Sequence, residues 1–449
     1  MADWTELSPR EIERLSSEVE RELCDAAAGD VPLTVVKAPP GSGKTHLLVR
    51  AVQAAASRGL RVAVGAQTNT QADDICVRLA RGDDGISVFR FTARDAKPTD
   101  LGPRIHWVSE SKHLPADACV VVATVAKWSL TKLPESFNLF IVDEAWQMAW
   151  ADFMLCSQVS ARFALIGDPG QIPPVVTIPV QRWETAPRAP HQPVPELILA
   201  DPDLPALRLE MPVCRRLPYD SVEMVRNFYD FGFAAHAQPG ERSLTVGRRH
   251  GDQGAADEVL GLLSERSTVA LTLPTPSDGP PLELDIEAAH AAVDVALQAL
   301  QRGAVVVDDP SGEKRDLRPE DIGFAATHRV MNTALTEALP SRLRPTIRVD
   351  TPERWQGLER KLMIVVHPLS GVMTPSAFDI ETGKLCVMVS RHRAGLVVVA
   401  RDHILHTLET HMPSAEQPVG RPDVTGRGHA ANLKFWETLE RDGLVVRSG

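Results

Sequence analysis

The sequence predicts an α/β fold with two tandem parallel sheets flanked by helices. Short apolar strands alternate with helical segments on both sides of a proline-rich stretch, and this alternation is typical of parallel sheets covered on both faces. The first series has strand candidates at 33–38, 61–66, 118–124, 138–145 and 162–168. The second series has them at 267–273, 304–307, 321–327, 347–351, 362–368 and 395–401.

Helical patterns lie between several of these strands, and proline marks the break between the two series. The predicted helices are 8–29, 46–58, 70–81, 284–302 and 330–339. Residues 169–205 are irregular and rich in proline, which indicates a connector. The predicted division is a helical segment 1–32, a first domain 33–175, a connector 176–205, a second domain 206–410 with insertions at about 235–320, and a tail 411–449.

Composition favours a globular, intracellular protein. The 449 residues are 43% hydrophobic and 24% charged, as in ordinary folded domains. We expect no membrane span and no signal peptide, because no apolar run is long enough and the N-terminus is polar. Six cysteines without a CxxC pair indicate a reducing, cytoplasmic setting. Abundant arginine and proline with scarce lysine are typical of a GC-rich bacterial genome.

The segment APPGSGKT (38–45) lies between a buried strand and a helix, the context that a phosphate-binding P-loop requires. Its glycines allow backbone N–H groups to surround phosphates, and the helix N-terminus adds a positive dipole end. Lys44 is expected to reach the β- and γ-phosphates and Thr45 to ligate Mg²⁺. The predicted phosphate contacts are Pro40, Gly41, Ser42, Gly43, Lys44, Thr45 and His46. The alternative is a strand-to-helix turn that binds nothing.

The segment IVDEAWQ (141–147) places two carboxylates after an apolar strand of the same series. Asp143 is expected to hold Mg²⁺ through water, and Glu144 to act as general base on the attacking water. Taken alone, such a pair is usually a solvated strand end. Its position after a P-loop favours the catalytic interpretation.

The motifs APPGSGKT, DEAWQ and GDPGQIPP (167–174), in this order, resemble those of superfamily 1 helicases, in the branch of the nonsense-decay enzymes and related AAA-type P-loop ATPases. The resemblance runs from residue 33 to residue 401. It implies two RecA-like domains with ATP and Mg²⁺ bound at their interface. It also implies that Gln171 senses the γ-phosphate.

Further motifs in the second domain extend the resemblance. CRRLP (214–218) is similar to a motif that places Arg215 at the γ-phosphate, although Arg216 could exchange roles with it. FAATHR (324–329) gives Arg329 and VMVSRHR (387–393) gives Arg391 as further candidate arginine fingers. VDTPERWQGLE (349–359) gives the nucleotide contacts Gln356, Gly357 and Glu359. The alternative for each arginine is a surface salt bridge.

The resemblance also implies contacts with single-stranded nucleic acid. TNTQADD (68–74) gives Thr68 and Asn69, and ATVAKW (123–128) gives Thr124. Trp128, next to this motif, is the best candidate for stacking on a base. The net charge of −11 argues against general duplex binding, but it permits a local grip on a single strand.

Three departures from the family pattern leave a second function open. Residues 1–37 contain no glutamine to bind adenine, and Cys214 occupies the position of an aromatic residue. The chain also has room for only small inserted subdomains.

The leading hypothesis is an ATP-driven translocase or helicase on single-stranded DNA or RNA, with protein partners that supply accessory domains. The alternative is a regulatory P-loop NTPase that acts as a nucleotide-gated interaction module in a bacterial defence or repair assembly. A small-molecule kinase fits poorly, because it does not need the second-domain arginines.

Overall fold

The computed structural model describes residue 4 and residues 7–82, 85–96, 99–174, 179–183, 186–247, 254–308, 311–413 and 424–448. The predicted boundary at 175/176 therefore lies outside the described residues. No described helix combines the length and the apolar character needed to cross a lipid bilayer.

The first part of the chain forms a parallel sheet. Its strands are β1 (Leu33–Lys37), β2 (Val62–Ala66), β3 (Val88–Phe91), β4 (Ile105–Val108), β5 (Val120–Thr124), β6 (Leu139–Val142), β7 (Phe163–Gly167) and β8 (Leu207–Glu210). The order across the sheet is β4-β3-β5-β2-β6-β7-β1-β8. The strand that precedes the P-loop therefore lies two positions from the strand that precedes Asp143, and both end at the same edge.

Helices cover both faces of this sheet. They are α1 (Pro9–Ala28), α2 (Lys44–Ala56), α3 (Asn69–Gly82), α4 (Val125–Ser129), α5 (Trp150–Cys156) and α6 (Val194–Ala200). The start of α1 is fixed by a capping box, in which Ser8 and Glu11 satisfy each other's backbone N–H groups. Leu23 and other apolar residues of α1 belong to the same buried cluster as Leu48 of α2. The predicted N-terminal helical segment is thus packed as part of the first domain.

The second part of the chain forms another parallel sheet and two small ones. The strands are β9 (Val213–Cys214), β10 (Ala234–Ala235), β11 (Ser243–Thr245), β12 (Thr268–Leu273), β13 (Val305–Val307), β14 (Arg315–Asp316), β15 (Ile322–Ala325), β16 (Arg348–Asp350), β17 (Arg360–Val366), β18 (His392–Arg401) and β19 (Val445–Arg447). The large sheet has the order β16-β15-β17-β18-β12-β19. Strands β11, β13 and β14 form a small antiparallel sheet, and β9 pairs with β10.

Helices of the second part pack on both faces of its large sheet, where two apolar clusters lie. They are α7 (Tyr219–Arg226), α8 (Ala255–Leu263), α9 (Ile286–Gln301), α10 (Arg329–Ala338), α11 (Pro352–Trp355), α12 (Thr382–Val389), α13 (Ile404–Thr410) and α14 (Val424–Arg441). Two parallel sheets in tandem, each flanked by helices, confirm the predicted fold class.

The structure corrects three parts of the predicted division. The predicted tail supplies α14 and the edge strand β19, which pairs with β12. The start of the predicted second domain, β8, belongs to the first sheet, where it pairs with β1. The predicted insertion around 235–320 contains β12 and α9, which are core elements of the second sheet. In the first two cases the chain returns to a sheet edge that local sequence pattern does not reveal.

The C-terminal helix should be needed for the stability of the second domain. Trp436 is 2% exposed and packs against His367 at 5.4 Å between ring centroids. We predict that Trp436→Ala lowers the free energy of unfolding by about 3–5 kcal/mol, since a large buried side chain is lost. Urea denaturation followed by far-UV circular dichroism measures this. Exposed Glu437→Ala is the control and should cost under about 0.5 kcal/mol; equal losses would contradict the assignment.

Candidate functional site

The P-loop connects β1 to α2, and its backbone depends on glycine. Gly41 and Gly43 have φ values of 67° and 93°, in the left-handed region that favours glycine. The Ser42 hydroxyl oxygen is buried, and it has no hydrogen-bond partner among the described residues. A buried polar atom without a partner is costly unless a ligand satisfies it. The loop therefore has the form of an anion cradle at the start of a helix.

The P-loop lysine is held by an aspartate that follows β7. Lys44 Nζ lies 3.5 Å from Asp168 Oδ2. The other oxygen of this carboxylate accepts hydrogen bonds from the Tyr229 hydroxyl at 2.9 Å and from the Gly170 N–H at 3.0 Å. Burial and the nearby Asp168 raise the pKa of Tyr229 well above its usual value, so the hydroxyl stays a donor. Tyr229 thus links the second half of the chain to Lys44 through Asp168.

The two carboxylates after β6 are buried beside the P-loop. Glu144 has a φ of 50°, and it is the only residue other than glycine with a positive φ in the described part of the chain. Burial, followed by repulsion from Glu144, raises the pKa of Asp143 to about 7. One Glu144 carboxylate oxygen, Oε2, is buried and has no partner among the described residues. Strained backbone and unsatisfied acidic oxygens are typical of a site that awaits a ligand.

Asp143 and Thr45 are the residues that could hold Mg²⁺. This ion prefers oxygen ligands, of which one or two come from protein groups and the remainder from phosphate and water. Asp143 is buried, and among the described residues no cationic group lies within salt-bridge distance of it. Lys44 opposes the rise in the pKa of Asp143 but does not cancel it. The donor set therefore fits a magnesium ion that arrives with a nucleotide.

Gln171, in the loop after β7, lies beside the carboxylate pair. Its Nε2 lies 3.4 Å from Glu144 Oε1, and its Oε1 accepts a hydrogen bond from Gln147 at 3.0 Å. The backbone of Gln171 also packs against Gly383 in α12, where a Cβ would lie 2.7 Å from the Gln171 carbonyl carbon. Gln171 therefore contacts both the candidate base and the helix that leads to Arg391.

Arg391 brings an unpaired charge to this site. It is 2% exposed, and its Nε donates to the Val387 carbonyl at 3.2 Å. Burial, and next the neighbouring Arg216, lower the pKa of Arg391 to about 10, while Asp168 and Glu144 oppose this shift. No carboxylate of the described residues lies within salt-bridge distance of it. A buried cation without a counter-ion is suited to an anionic ligand.

Of the two neighbouring arginines, Arg216 and not Arg215 faces Arg391. A Cβ on Gly41 would lie 2.3 Å from the Arg216 Cβ, so this residue packs directly on the P-loop. Arg216 donates to Glu359 at 2.8 Å and to the Ser390 carbonyl at 3.2 Å. Arg215 instead pairs with Glu13 of α1 at 2.6 Å. The structure thus places Arg216, the alternative that the sequence left open, against the P-loop, and it turns the Arg215 side chain toward α1.

The other predicted nucleotide contacts of the second domain are only partly brought together. Glu359 accepts hydrogen bonds from Arg216 and, at 2.8 Å, from Arg393. Gln356 caps the C-terminal end of α11, and Gly357 follows with a φ of 76°. Arg329 is exposed at the start of α10, at the carboxyl end of β15, and the structure gives it no contact with the P-loop.

Three of the four predicted nucleic-acid residues lie at the carboxyl edge of the first sheet. Thr68 and Asn69 are exposed after β2, and Thr124 ends the neighbouring strand β5. Trp128 is fully buried: it packs against Phe91, Phe137 and Phe140, and its Nε1 donates to the Val64 carbonyl at 2.9 Å. Its expected role in base stacking is therefore corrected to core packing, because no face of the ring is accessible.

The sequence reasoning missed several groups of the site. Asp168 lies within the predicted motif GDPGQIPP but was given no role, and Tyr229 was given none either. Arg242, which donates to the Arg216 carbonyl oxygen, and Lys361, which pairs with Asp308, lie near the same cations and carry no motif. Burial lowers the pKa of Arg242 to about 10 and that of Lys361 to about 8. Contacts between distant segments were needed to find them.

Comparison with known proteins supports the P-loop assignment. Residues 16–182 match the model of the AAA domain family. The chain is 28% identical over 151 residues to the DNA replication ATP-dependent helicase/nuclease JHS1 of Arabidopsis thaliana, a match that covers 30% of this chain and 11% of that protein. The chain thus spans only a small part of this relative's length.

Solved helicase structures are also similar, at low identity. The crystal structure of the Arterivirus nonstructural protein 10 helicase has a TM-score of 0.44 and 13% identity, and the match covers 86% of this chain and 63% of that one. The DUF1998 helicase MrfA, bound to DNA and AMPPNP, has a TM-score of 0.40 and 10% identity, with 91% of this chain and 52% of that one covered.

The close contact between Gly41 and Arg216 gives a prediction for stability. Gly59 also has a positive φ, 75°, but a Cβ there would meet nothing within 4 Å. We predict that Gly59→Ala costs about 1 kcal/mol of unfolding free energy from backbone strain. Gly41→Ala should cost about 2 kcal/mol more, because its Cβ collides with Arg216. Urea denaturation measures both variants, and equal losses would show that the contact does not contribute.

Proposed function

We propose that this chain is an ATP-hydrolysing motor of the superfamily 1 type that acts on single-stranded nucleic acid. The observation that carries the proposal is the position of Arg391 and Arg216. Both come from the second half of the chain, and both face the P-loop and carboxylates of the first. Cations from an opposing domain stabilise the charge that develops on a transferred phosphoryl group.

In the proposed reaction, the nucleotide competes with Asp168 for Lys44. When the phosphates enter the P-loop, the ammonium group leaves its 3.5 Å contact with Asp168 and binds the β- and γ-phosphates. Asp143 and Thr45 would hold the magnesium ion, which neutralises phosphate charge when bound. Glu144 accepts a proton from the attacking water, and its unpaired Oε2 is free to do so.

Coupling between the sheets follows from the contacts of Gln171. This side chain touches Glu144, and its backbone packs on α12, which ends two residues before Arg391. Loss of the γ-phosphate changes what Gln171, Arg391 and Arg216 can bind. The two sheets would therefore separate after hydrolysis and close again on a new nucleotide.

The proposed single-strand path begins beside the carboxylate pair. Gln67 Nε2 lies 3.3 Å from the Glu144 carbonyl oxygen and 3.4 Å from that of Asp143. The next residues, Thr68 and Asn69, are exposed at the sheet edge. A change at Glu144 can thus reach the strand-binding segment through one side chain. The exposed side chains of Thr68 and Asn69 can donate hydrogen bonds to a single strand at this edge. The net charge of −11 does not prevent such local binding. The helicase names of the similar proteins support the same proposal.

Two substitutions test the catalytic assignment. We predict that Lys44→Ala and Glu144→Gln each lower kcat by at least about a hundredfold, since each removes a phosphate contact or the general base. A coupled phosphate-release assay measures kcat. Glu144→Gln should still bind ATP, as measured by calorimetry. Full steady-state hydrolysis in either purified variant would contradict the site.

The arginine contribution has its own test. Arg391→Ala should lower kcat by about a thousandfold while the affinity for ADP changes little, because the guanidinium acts on the γ-phosphate. Arg354→Ala, an exposed arginine that pairs with Asp350 at 3.6 Å, is the matched control and should leave kcat unchanged. Similar kcat values in the two variants would remove Arg391 from the reaction.

Addition of oligonucleotides distinguishes the motor from the regulatory NTPase. We predict that single-stranded DNA or RNA stimulates ATP hydrolysis at least about tenfold, because strand binding orders the interface that holds the arginines. The double variant Thr68→Ala and Asn69→Ala should lose this stimulation and keep the basal rate. Hydrolysis that is indifferent to every single strand would favour the nucleotide-gated module instead.

A further inference from the structure

Asp168 is a buried carboxylate whose two oxygens have different partners. It follows β7 and is 1% exposed. Its Oδ2 lies 3.5 Å from Lys44 Nζ, and among the described residues Lys44 is the only cation within salt-bridge distance of it. Its Oδ1 accepts hydrogen bonds from the Tyr229 hydroxyl and from the Gly170 N–H. One oxygen thus faces the P-loop lysine, while the other is bound by a side chain from the second half of the chain.

The position of the Tyr229 hydroxyl is fixed from several sides. The ring packs edge-on against Phe231 and Phe233, with centroid distances of 5.6 and 5.2 Å. A Cβ on Gly170 would lie 2.4 Å from the hydroxyl oxygen, so this glycine leaves the space that the oxygen occupies. Cys386 Sγ lies 3.4 Å from the same oxygen. Burial raises the pKa of Cys386 to about 12, so the thiol keeps its proton and can donate to the tyrosine oxygen, whose own proton points to the carboxylate.

Departure of Lys44 would leave Asp168 as a buried charge without an ion-pair partner at close range. A buried carboxylate is costly unless hydrogen bonds compensate it. Arg391 attracts Asp168 only from beyond salt-bridge distance. The Tyr229 O–H and the Gly170 N–H would then be the donors that stabilise the charge. Of these two, only Tyr229 comes from the second half of the chain, where its ring packs against an apolar cluster of the large sheet.

We propose that Tyr229 is a positioning residue that determines how readily Lys44 leaves Asp168, and that it thereby makes the affinity for ATP depend on the contact between the two sheets. The proposal rests on the proposed function, whose nucleotide site it regulates. With the hydroxyl in place, Asp168 keeps two donors to Oδ1 after Lys44 has moved to the phosphates. When the sheets separate, the carboxylate loses the hydroxyl, attracts Lys44 again and weakens the binding of the nucleotide. The alternative role of Tyr229 is packing between the two halves and nothing more.

Calorimetric binding of ATP to the full chain tests the proposal, with Glu144→Gln as the background so that ATP is not consumed. Tyr229→Phe removes the hydroxyl and keeps the ring. We expect the Kd for ATP to rise at least about tenfold, because a hydrogen bond to a buried charged group is lost. The matched control is Tyr219→Phe, the same substitution at a residue that is 38% exposed at the start of α7, and it should leave the Kd unchanged. Equal Kd values for the two variants would overturn the proposal.

Two further measurements separate positioning from packing. In an Asp168→Asn background, the departure of Lys44 leaves no buried charge, so Tyr229→Phe should change the Kd for ATP by less than about threefold. AMP lacks the phosphates that Lys44 would bind, so Tyr229→Phe should leave the Kd for AMP unchanged. An equal loss of ATP affinity in both backgrounds, or an equal loss for AMP and ATP, would show that Tyr229 only packs the two halves together, and the proposal would be wrong.

Hydrolysis by the wild-type chain, with and without single strands, tests the proposed function separately from these binding measurements. If the wild type neither hydrolyses ATP nor responds to a strand, but Tyr229→Phe weakens ATP binding as expected, the motor is contradicted and the positioning role of Tyr229 is supported. If the wild type hydrolyses ATP and responds to strands, but Tyr229→Phe binds ATP as tightly as the parent chain, the motor is supported and the positioning role is overturned.

Discussion

The site depends on a buried guanidinium that has no counter-ion in the described part of the chain. Arg391 is enclosed at the end of α12, next to Arg216, and its attraction to Asp168 and Glu144 only partly offsets the cost of burial. Such a charge is costly in a folded protein unless a ligand compensates it. In the proposed mechanism, an anion between the two sheets would satisfy it, together with the unpaired hydroxyl of Ser42. The same anion would draw the sheets together, so binding and closure become one event.

The contacts between the sheets are arranged around this anion site. Tyr229 of the second half binds Asp168 of the first, and Asp168 holds Lys44. Gly383 of α12 packs against the backbone of Gln171, which contacts Glu144. A nucleotide that removed Lys44 from Asp168 would therefore alter contacts on both sides of the interface. In the proposed function, this arrangement would connect phosphate chemistry to domain movement.

The sequence was most informative where chemistry requires a local pattern. The P-loop glycines, Lys44 and the carboxylates after β6 could be predicted, because each must follow a buried strand at a fixed spacing. Buried strands such as β12 and β17 were predicted from their apolar runs. Strands β3, β4, β8 and β19 were missed, because they are short or join a sheet from a distant part of the chain.

Residue roles that depend on side-chain direction could not be predicted in the same way. Arg215 and Arg216 are adjacent and chemically identical, and only their contacts distinguish them: Arg216 packs on Gly41, whereas Arg215 pairs with Glu13. Trp128 stands beside a strand-binding motif, yet three phenylalanines enclose it. Tertiary packing decides both cases, and a single sequence carries no record of it.

A crystal structure with ADP, Mg²⁺ and aluminium fluoride tests the central claim most directly. Aluminium fluoride stands in for the γ-phosphoryl group during transfer. The account predicts that Arg391 and Arg216 bind the fluoride from the second sheet, at a hydrogen-bond distance of about 3 Å, and that Lys44 no longer contacts Asp168. A fluoride that is bound by the P-loop and Glu144 alone, with both arginines turned away, would contradict it.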